Sequence, residues 1–220
     1  MMSAKSRRIG QFISFEGSEG SGKSTQIRLL AERLQRHGLT PVVVREPGGT
    51  AIGESIRHLL KHDTNAGRMF PETELLLFAA SRAQLVREII APALQEGKVV
   101  LCDRYLDSTT VYQGVARKLA SSRVQAVNEF AVGDLLPDAT LVLDIDAEEG
   151  MRRATSRGNG TPDRMESESI DFYQRVRQGY LVLAESLPER FLVVSAQQDI
   201  HTIADQIWHE LSKRFTDWPR

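Results

Sequence analysis

The chain has 220 residues, 41% hydrophobic and 26% charged, with a formal net charge of −1. That length suits one domain around one core, and the near-zero balance excludes a global field that would attract nucleic acid or an anionic membrane surface. A single cysteine, Cys102, excludes a disulfide framework and a cysteine-based zinc site.

Residues 1–220 read as one domain, without internal repeat, low-complexity stretch or linker. Lys5, Arg7 and Arg8 precede no long apolar segment, since Phe12-Ile13-Ser14-Phe15 is short and runs into a glycine loop. No stretch of about 18 apolar residues occurs. Cys102 closes the apolar run Val99-Val100-Leu101, the pattern of a buried thiol, and a reducing cytoplasm is the expected setting.

Gln11–Glu16 predicts a short strand, followed by a helix with Ile27, Leu30, Ala31 and Leu34 on one stripe and a stop at His37-Gly38. Pro41–Val44 is a second β-branched run and Glu54–Leu60 a short helix. Pro71 opens a longer helix that runs to about Gln95, with Gly97 beyond it. Its stretch Leu75–Ala80 is apolar nearly all round, which calls for cover from the sheet, from other helices or from a second subunit. Lys98–Asp103, Ala139–Ile145 and Phe191–Ser195 predict three more strands, and Ile200, Ile203, Ala204, Ile207, Trp208 and Leu211 mark a last helix. Apolar strands alternating with helices imply an α/β fold of three layers, a five-stranded parallel sheet covered on both faces.

The run Gly17-Ser18-Glu19-Gly20-Ser21-Gly22-Lys23-Ser24 fits the pattern G-x-x-x-x-G-K-[ST], with a strand before it and a helix after it. Its glycines let the backbone wrap phosphates, and successive N–H groups at a helix start favour anions. Lys23 supplies a charge for the outer phosphates and Ser24 a hydroxyl for Mg²⁺. In an open α/β sheet, ligands bind beyond the carboxyl ends of the strands. There the sequence places Arg45-Glu46-Pro47-Gly48-Gly49-Thr50 and Asp103-Arg104-Tyr105. Two arginines beside a nucleotide loop suit the phosphate of an acceptor, and Asp103 is a second candidate for orienting Mg²⁺. Residues 150–164 carry Arg152, Arg153, Arg157 and Arg164 around Gly158-Asn159-Gly160-Thr161-Pro162, the composition of a mobile lid that closes on phosphates and excludes water.

No general-base dyad stands out, and His37, His58, His62, His201 and His209 fall at helix ends or surface positions. An acceptor phosphate, with a second pKa of about 6, needs none. The guanine-reading motif Asn-Lys-x-Asp of a GTP-dependent switch is absent.

Over nearly its full length the chain resembles the bacterial type of thymidylate kinase. The resemblance is carried by Phe15-Glu16-Gly17 through Thr25, by Arg45 through Thr50, and by Leu75-Leu76-Leu77-Phe78 with Arg82. It continues in Asp103-Arg104-Tyr105 with Tyr112-Gln113-Gly114, and in Asp163-Arg164. It implies transfer of the γ-phosphoryl group of ATP to dTMP with Mg²⁺, in a homodimer. Residues 17–25 would bind ATP. Phe78 would stack on thymine, with Arg82 hydrogen-bonded to the base and Ser108, Thr109 and Gln113 completing its pocket. Arg45 and Arg104 would hold the dTMP phosphate, beside Pro47. Tyr112 would lie under the deoxyribose and Glu19 near the sugar 3′-OH. Eukaryotic-type members carry an arginine where this chain has Gly20, so the catalytic arginine would come from the lid, with Arg153, Arg157 and Arg164 as candidates.

Overall fold

A computed structural model describes residues 9–63, 68–157, 168–216 and 218. Five strands, β1 (Gln11–Glu16), β2 (Pro41–Arg45), β3 (Val99–Asp103), β4 (Ala139–Asp144) and β5 (Phe191–Ser195), pair in the order β2-β3-β1-β4-β5. All four pairings are parallel. Strand residues alternate between two cores, as the twofold period of a strand requires. Ile13, Phe15, Val99 and Leu101 face α1 (Lys23–Arg36) and α9 (Ile200–Arg214), whereas Phe12, Val100 and Cys102 face the opposite side.

That opposite side is covered by the helix predicted from Pro71, which is one continuous run. α3 (Pro71–Leu85) passes through a π-helical turn, Val86–Ile90, into α4 (Ala91–Gln95). The apolar stretch of α3 divides there: Leu75 and Ala79 are buried, while Leu76 remains 58% exposed. The other short helix is longer than predicted, α2 spanning Ala51–Lys61, because the Thr50 hydroxyl accepts from Gly53 N and caps it early. After β3 come α5 (Leu106–Thr109), a π-helical segment Thr110–Ala116, and α6 (Ser121–Val132). α7 (Ala147–Arg157) and α8 (Ile170–Ser186) follow β4. Phe172, Val176 and Tyr180 of α8 pack on Val111, Tyr112 and Val142 in a third cluster. Of the predicted lid, residues 150–157 belong to α7, while 158–163 and Arg164 lie outside the described residues.

Connections set the location of the site. The chain leaves β1 toward β2 on one side of the sheet, and leaves β3 toward β4 on the other. Neighbouring strands whose connections diverge leave a crevice at their carboxyl ends. The glycine loop and Asp103-Arg104 both open into it.

Candidate active site

The glycine loop joins β1 to α1, and it needs its glycines for conformation and for space. Gly17, Gly20 and Gly22 have φ of 127°, 73° and 90°. At Gly20 a Cβ would come within 2.0 Å of the Gly150 carbonyl, and at Gly150 within 2.7 Å of the Glu19 carbonyl. Loop and α7 therefore touch backbone to backbone, and no side chain fits at position 20. Lys23 Nζ donates to the carbonyls of Gly17 (3.1 Å) and Ser18 (2.8 Å) and to Ser21 Oγ (3.3 Å). Burial, then the charge of Arg104, lowers its pKa to about 8, against the pull of Glu19 and Asp103. Ser24 Oγ donates to Asp103 Oδ2 at 2.9 Å, so the hydroxyl and the carboxylate expected at a metal stand side by side.

Across the cleft, Arg104 is held in the left-handed region at φ 71°, a conformation that costs a non-glycine residue roughly 1–2 kcal/mol. Neighbours on both sides fix it. Arg104 N donates to the Phe15 carbonyl (3.0 Å) and Tyr105 N to Glu16 Oε1 (2.8 Å). The Arg104 guanidinium donates to Glu19 Oε1 (2.7 Å) and Ser108 Oγ (3.2 Å), and it lies 5.0 Å from the centre of the Tyr112 ring. Burial pushes the Glu19 carboxyl up, but Arg104, Lys23 and Lys61 outweigh it and hold the pKa at about 2. Arg45 reaches the same cleft at the end of β2 and makes a two-point pair with Glu54 of α2 (2.9 and 3.0 Å). Glu54 also accepts from Gly49 N at 2.7 Å, tying the loop to the helix.

Glu19, Gly20, Gly22, Lys23, Ser24, Arg45, Pro47, Phe78, Asp103, Arg104, Ser108, Thr109, Tyr112 and Gln113 line one cleft. Arg82 does not join them. Expected at the base, it is 1% exposed and lies behind the wall. It donates to Glu46 Oε2 (2.8 Å), Asn128 Oδ1 (2.9 Å), the Tyr105 carbonyl (3.2 Å) and Thr109 Oγ1 (2.9 Å). Phe78 and Arg82 stand four residues apart on α3, yet only Phe78 faces the cleft, because Glu46 and Asn128 close over the arginine. Arg153 also sits elsewhere: it donates to Glu149 Oε1 (2.6 Å) and to the Ala196 carbonyl beyond β5 (2.9 Å), and does not line the cleft. Arg157 ends α7, and Arg164 lies outside the described residues.

Several groups in the site are given no role by the sequence reading. Glu16 is fully buried under the cleft and accepts from Ser108 Oγ (2.6 Å) and Tyr180 OH (2.8 Å). Burial, and next the charge of Asp107, pushes its pKa up to about 7. Arg57 and Lys61 of α2 add positive charge to the lining. A basic helix stripe would have been the signal for these two; for Glu16, inside an apolar strand, its charge alone was one.

A glycine loop at the switch point, facing two arginine-bearing strand ends across one cleft, defines a P-loop kinase. A family model described as thymidylate kinase matches residues 15–207. The thymidylate kinase of Kosmotoga olearia is 49% identical over 199 residues, covering 90% of this chain and 94% of that relative. The thymidylate kinase of Nitrobacter winogradskyi is 46% identical over 207 residues, covering 93% and 89%. The crystal structure of thymidylate kinase from Ehrlichia chaffeensis superposes with a TM-score of 0.75 at 34% identity, covering 92% of this chain and 98% of that one. The chain belongs to the thymidylate kinase family.

Proposed function

We propose that the protein transfers the γ-phosphoryl group of ATP to dTMP by positioning and electrostatic stabilisation, without a general base. The observation that carries this reading is the facing pair Arg45 and Arg104, each held by a carboxylate, on the same cleft as Lys23. The loop N–H groups, the start of α1 and Lys23 hold the ATP phosphates. Arg45 and Arg104 hold the acceptor phosphate as forks. Phe78 stacks on the base, Tyr112 supports the sugar, and Thr109, Ser108 and Gln113 finish the pocket, with Arg82 buttressing Thr109 from behind. The acceptor oxygen is largely ionised near neutral pH, since a phosphomonoester has a second pKa of about 6, so no proton has to be removed for attack. Arg153, Arg157 and Arg164 remain the candidates for the transferred phosphoryl.

Ser24 and Asp103 fit Mg²⁺, which takes one or two protein oxygens and completes its shell with phosphates and water. The described residues include no cluster of three or more His, Cys, Asp or Glu that would form an all-protein cage. When bound, the ion supplies positive charge to the β- and γ-phosphate oxygens. A homodimer is supported by exposed Leu76 and Phe130 (87% exposed) on the packed pair α3 and α6. A cytoplasmic setting accords with the lone buried thiol of Cys102, and among the described residues no helix is long and apolar enough to cross a membrane.

An ADP-release assay with ATP, Mg²⁺ and a panel of nucleoside monophosphates tests the reading. The expected outcome is preference for dTMP; preference for AMP, CMP or dUMP overturns it.

A further inference from the structure

Gln113 faces the cleft, and its amide is oriented from behind. The residue is 1% exposed yet contributes to the lining. Its Nε2 donates to Glu74 Oε1 at 2.6 Å. Glu74, in the first turn of α3, is also 1% exposed. Arg117 approaches both of its oxygens at 3.4 Å. Arg117 is in turn paired with Glu168 at 2.6 Å and lies 4.9 Å from the centre of the Phe172 ring. With a guanidinium beside it, the Glu74 carboxylate is an acceptor only, so the amide must present nitrogen to it. Gln113 Oε1 has no hydrogen-bond partner among the described residues.

We propose that Glu74 is a positioning residue for acceptor choice: by engaging Gln113 Nε2 it commits Oε1 to the cleft as a hydrogen-bond acceptor, and so selects a pyrimidine whose N3 carries a proton over one whose N3 carries a lone pair. This rests on the cleft being the nucleobase site of the acceptor. The two ends of a glutamine amide have nearly the same shape, so an untethered Gln113 would turn to suit either base. Thymine and uracil are imides and offer N3–H; cytosine offers a bare nitrogen. Turning the amide toward cytosine would set Oε1 against a carboxylate and break a charge-assisted bond. Stacking on Phe78 is blind to this difference, because every pyrimidine has a π face. The discrimination comes from an oxygen whose direction is set one layer further out.

The test is kcat/KM for dTMP, dUMP and dCMP on four proteins: the parent, Glu74→Gln, Gln113→Leu and the double variant. A ratio of two acceptors on one preparation does not depend on how much of it is folded. Glu74→Gln is expected to lower the dTMP:dCMP preference by ~10–100-fold, the scale of one charge-assisted hydrogen bond. The dTMP:dUMP ratio and the KM for ATP should stay within about twofold, since neither reads N3. The double variant should lose no more preference than Gln113→Leu alone, because both changes break one interaction. Glu74→Asp keeps the charge beside Arg117 but withdraws it from Nε2, and should move the ratio in the same direction by less. Equal losses for all three acceptors, or additive losses in the double variant, would show a purely structural Glu74 and overturn the proposal. A parent that prefers dTMP to dCMP, with Glu74→Gln and Glu74→Asp preserving that preference, removes this inference and leaves the functional reading standing. A parent inactive on dTMP removes both.

Discussion

The two sides of the cleft are built differently. On one side, four polar side chains of the cleft are tied to another residue: Arg45 to Glu54, Arg104 to Glu19 and Ser108, Gln113 to Glu74 and Thr109 to Arg82, while the Tyr112 hydroxyl has no partner among the described residues. On α7, Arg152 is a surface group, whereas Arg153 is half-buried and also donates to the Ala196 carbonyl. Arg152 and Arg153 share one carboxylate, Glu149, and Arg152 is 69% exposed. A gripped group meets its ligand with its ordering cost already met by the fold. An exposed ion pair contributes little and exchanges its partner readily. Arg82, Thr109, Gln113 and Glu74 are fixed by burial, whereas Arg45 with Glu54 (46% and 44% exposed) and Arg152 with Glu149 (69% and 29%) can exchange partners more readily.

Lys23 sits at the boundary between the two sides, and the largest effect is expected there. Lys23→Ala should lower kcat by at least ~10²–10³-fold, the scale for losing one preorganised charge-stabilising donor, with the circular dichroism of the fold retained. Near-parental turnover would mean that the loop does not carry the chemistry. Arg104→Ala should follow, raising the acceptor KM by ~10–100-fold while the KM for ATP moves little. A selective loss of ATP affinity would reverse the two sides and assign Arg104 to the donor.

The packed side also has a pH signature. Glu16, at about 7, lies above its ordinary value of 4.5 because of burial and then Asp107. Between those two values the folded protein binds more proton at this site than the unfolded chain, so this contribution to stability falls as pH rises through the window and is flat above it. Glu16→Gln cannot titrate there. Relative to the parent, its Tm should therefore improve steadily from pH 5 to pH 7 and level off above pH 8, whatever constant offset the lost hydrogen bonds impose. A Tm difference independent of pH would show that the buried carboxyl titrates like a surface one. Next in size, Glu54→Gln leaves Arg45 in place but loosens the fork, and should raise the acceptor KM about three- to tenfold with kcat nearly unchanged. An unchanged KM would make the grip on Arg45 incidental.

The sequence made one of these sides easier to read than the other. Apolar runs defined all five strands to within a residue, most firmly the central β3, β1 and β4, because a strand buried on both faces has little freedom in composition; the edge strands β2 and β5 leave Val43 and Val193 exposed. The glycine loop was legible because strand, loop and helix are contiguous. Arg45 and Arg104 were legible because they sit at strand ends, where the switch point of the sheet must open. The grips were not. Glu46 and Arg82 lie 36 residues apart, Gln113 and Glu74 are 39 apart, and Glu16 and Tyr180 are 164 apart. Nothing in local periodicity pairs such residues. Helical spacing did put Arg82 on the side of Phe78, but a face of a helix is broader than one pocket, and Glu46 and Asn128 claimed the arginine first. Glu16 reads as one polar position in a strand until Tyr105, Ser108 and Tyr180 are brought around it.

The smallest expected effect sharpens the comparison most. Arg152 and Glu149 stand one helical turn apart on α7, and their pair is held at 2.7 Å. Such a pair on an exposed helix is worth a few tenths of a kcal/mol, and Glu149 keeps a second partner in Arg153. Arg152→Ala should therefore leave Tm within about a degree and kcat/KM for both substrates within about twofold, measured beside Glu54→Gln under the same conditions. If Arg152→Ala instead cost more than Glu54→Gln, an arginine paired within one turn of α7 would outweigh one that lines the cleft and is tied to a neighbouring helix. Organisation by packing would then be the wrong measure of which charges matter in this cleft, and the α7 side would have to be treated as part of the assembled site.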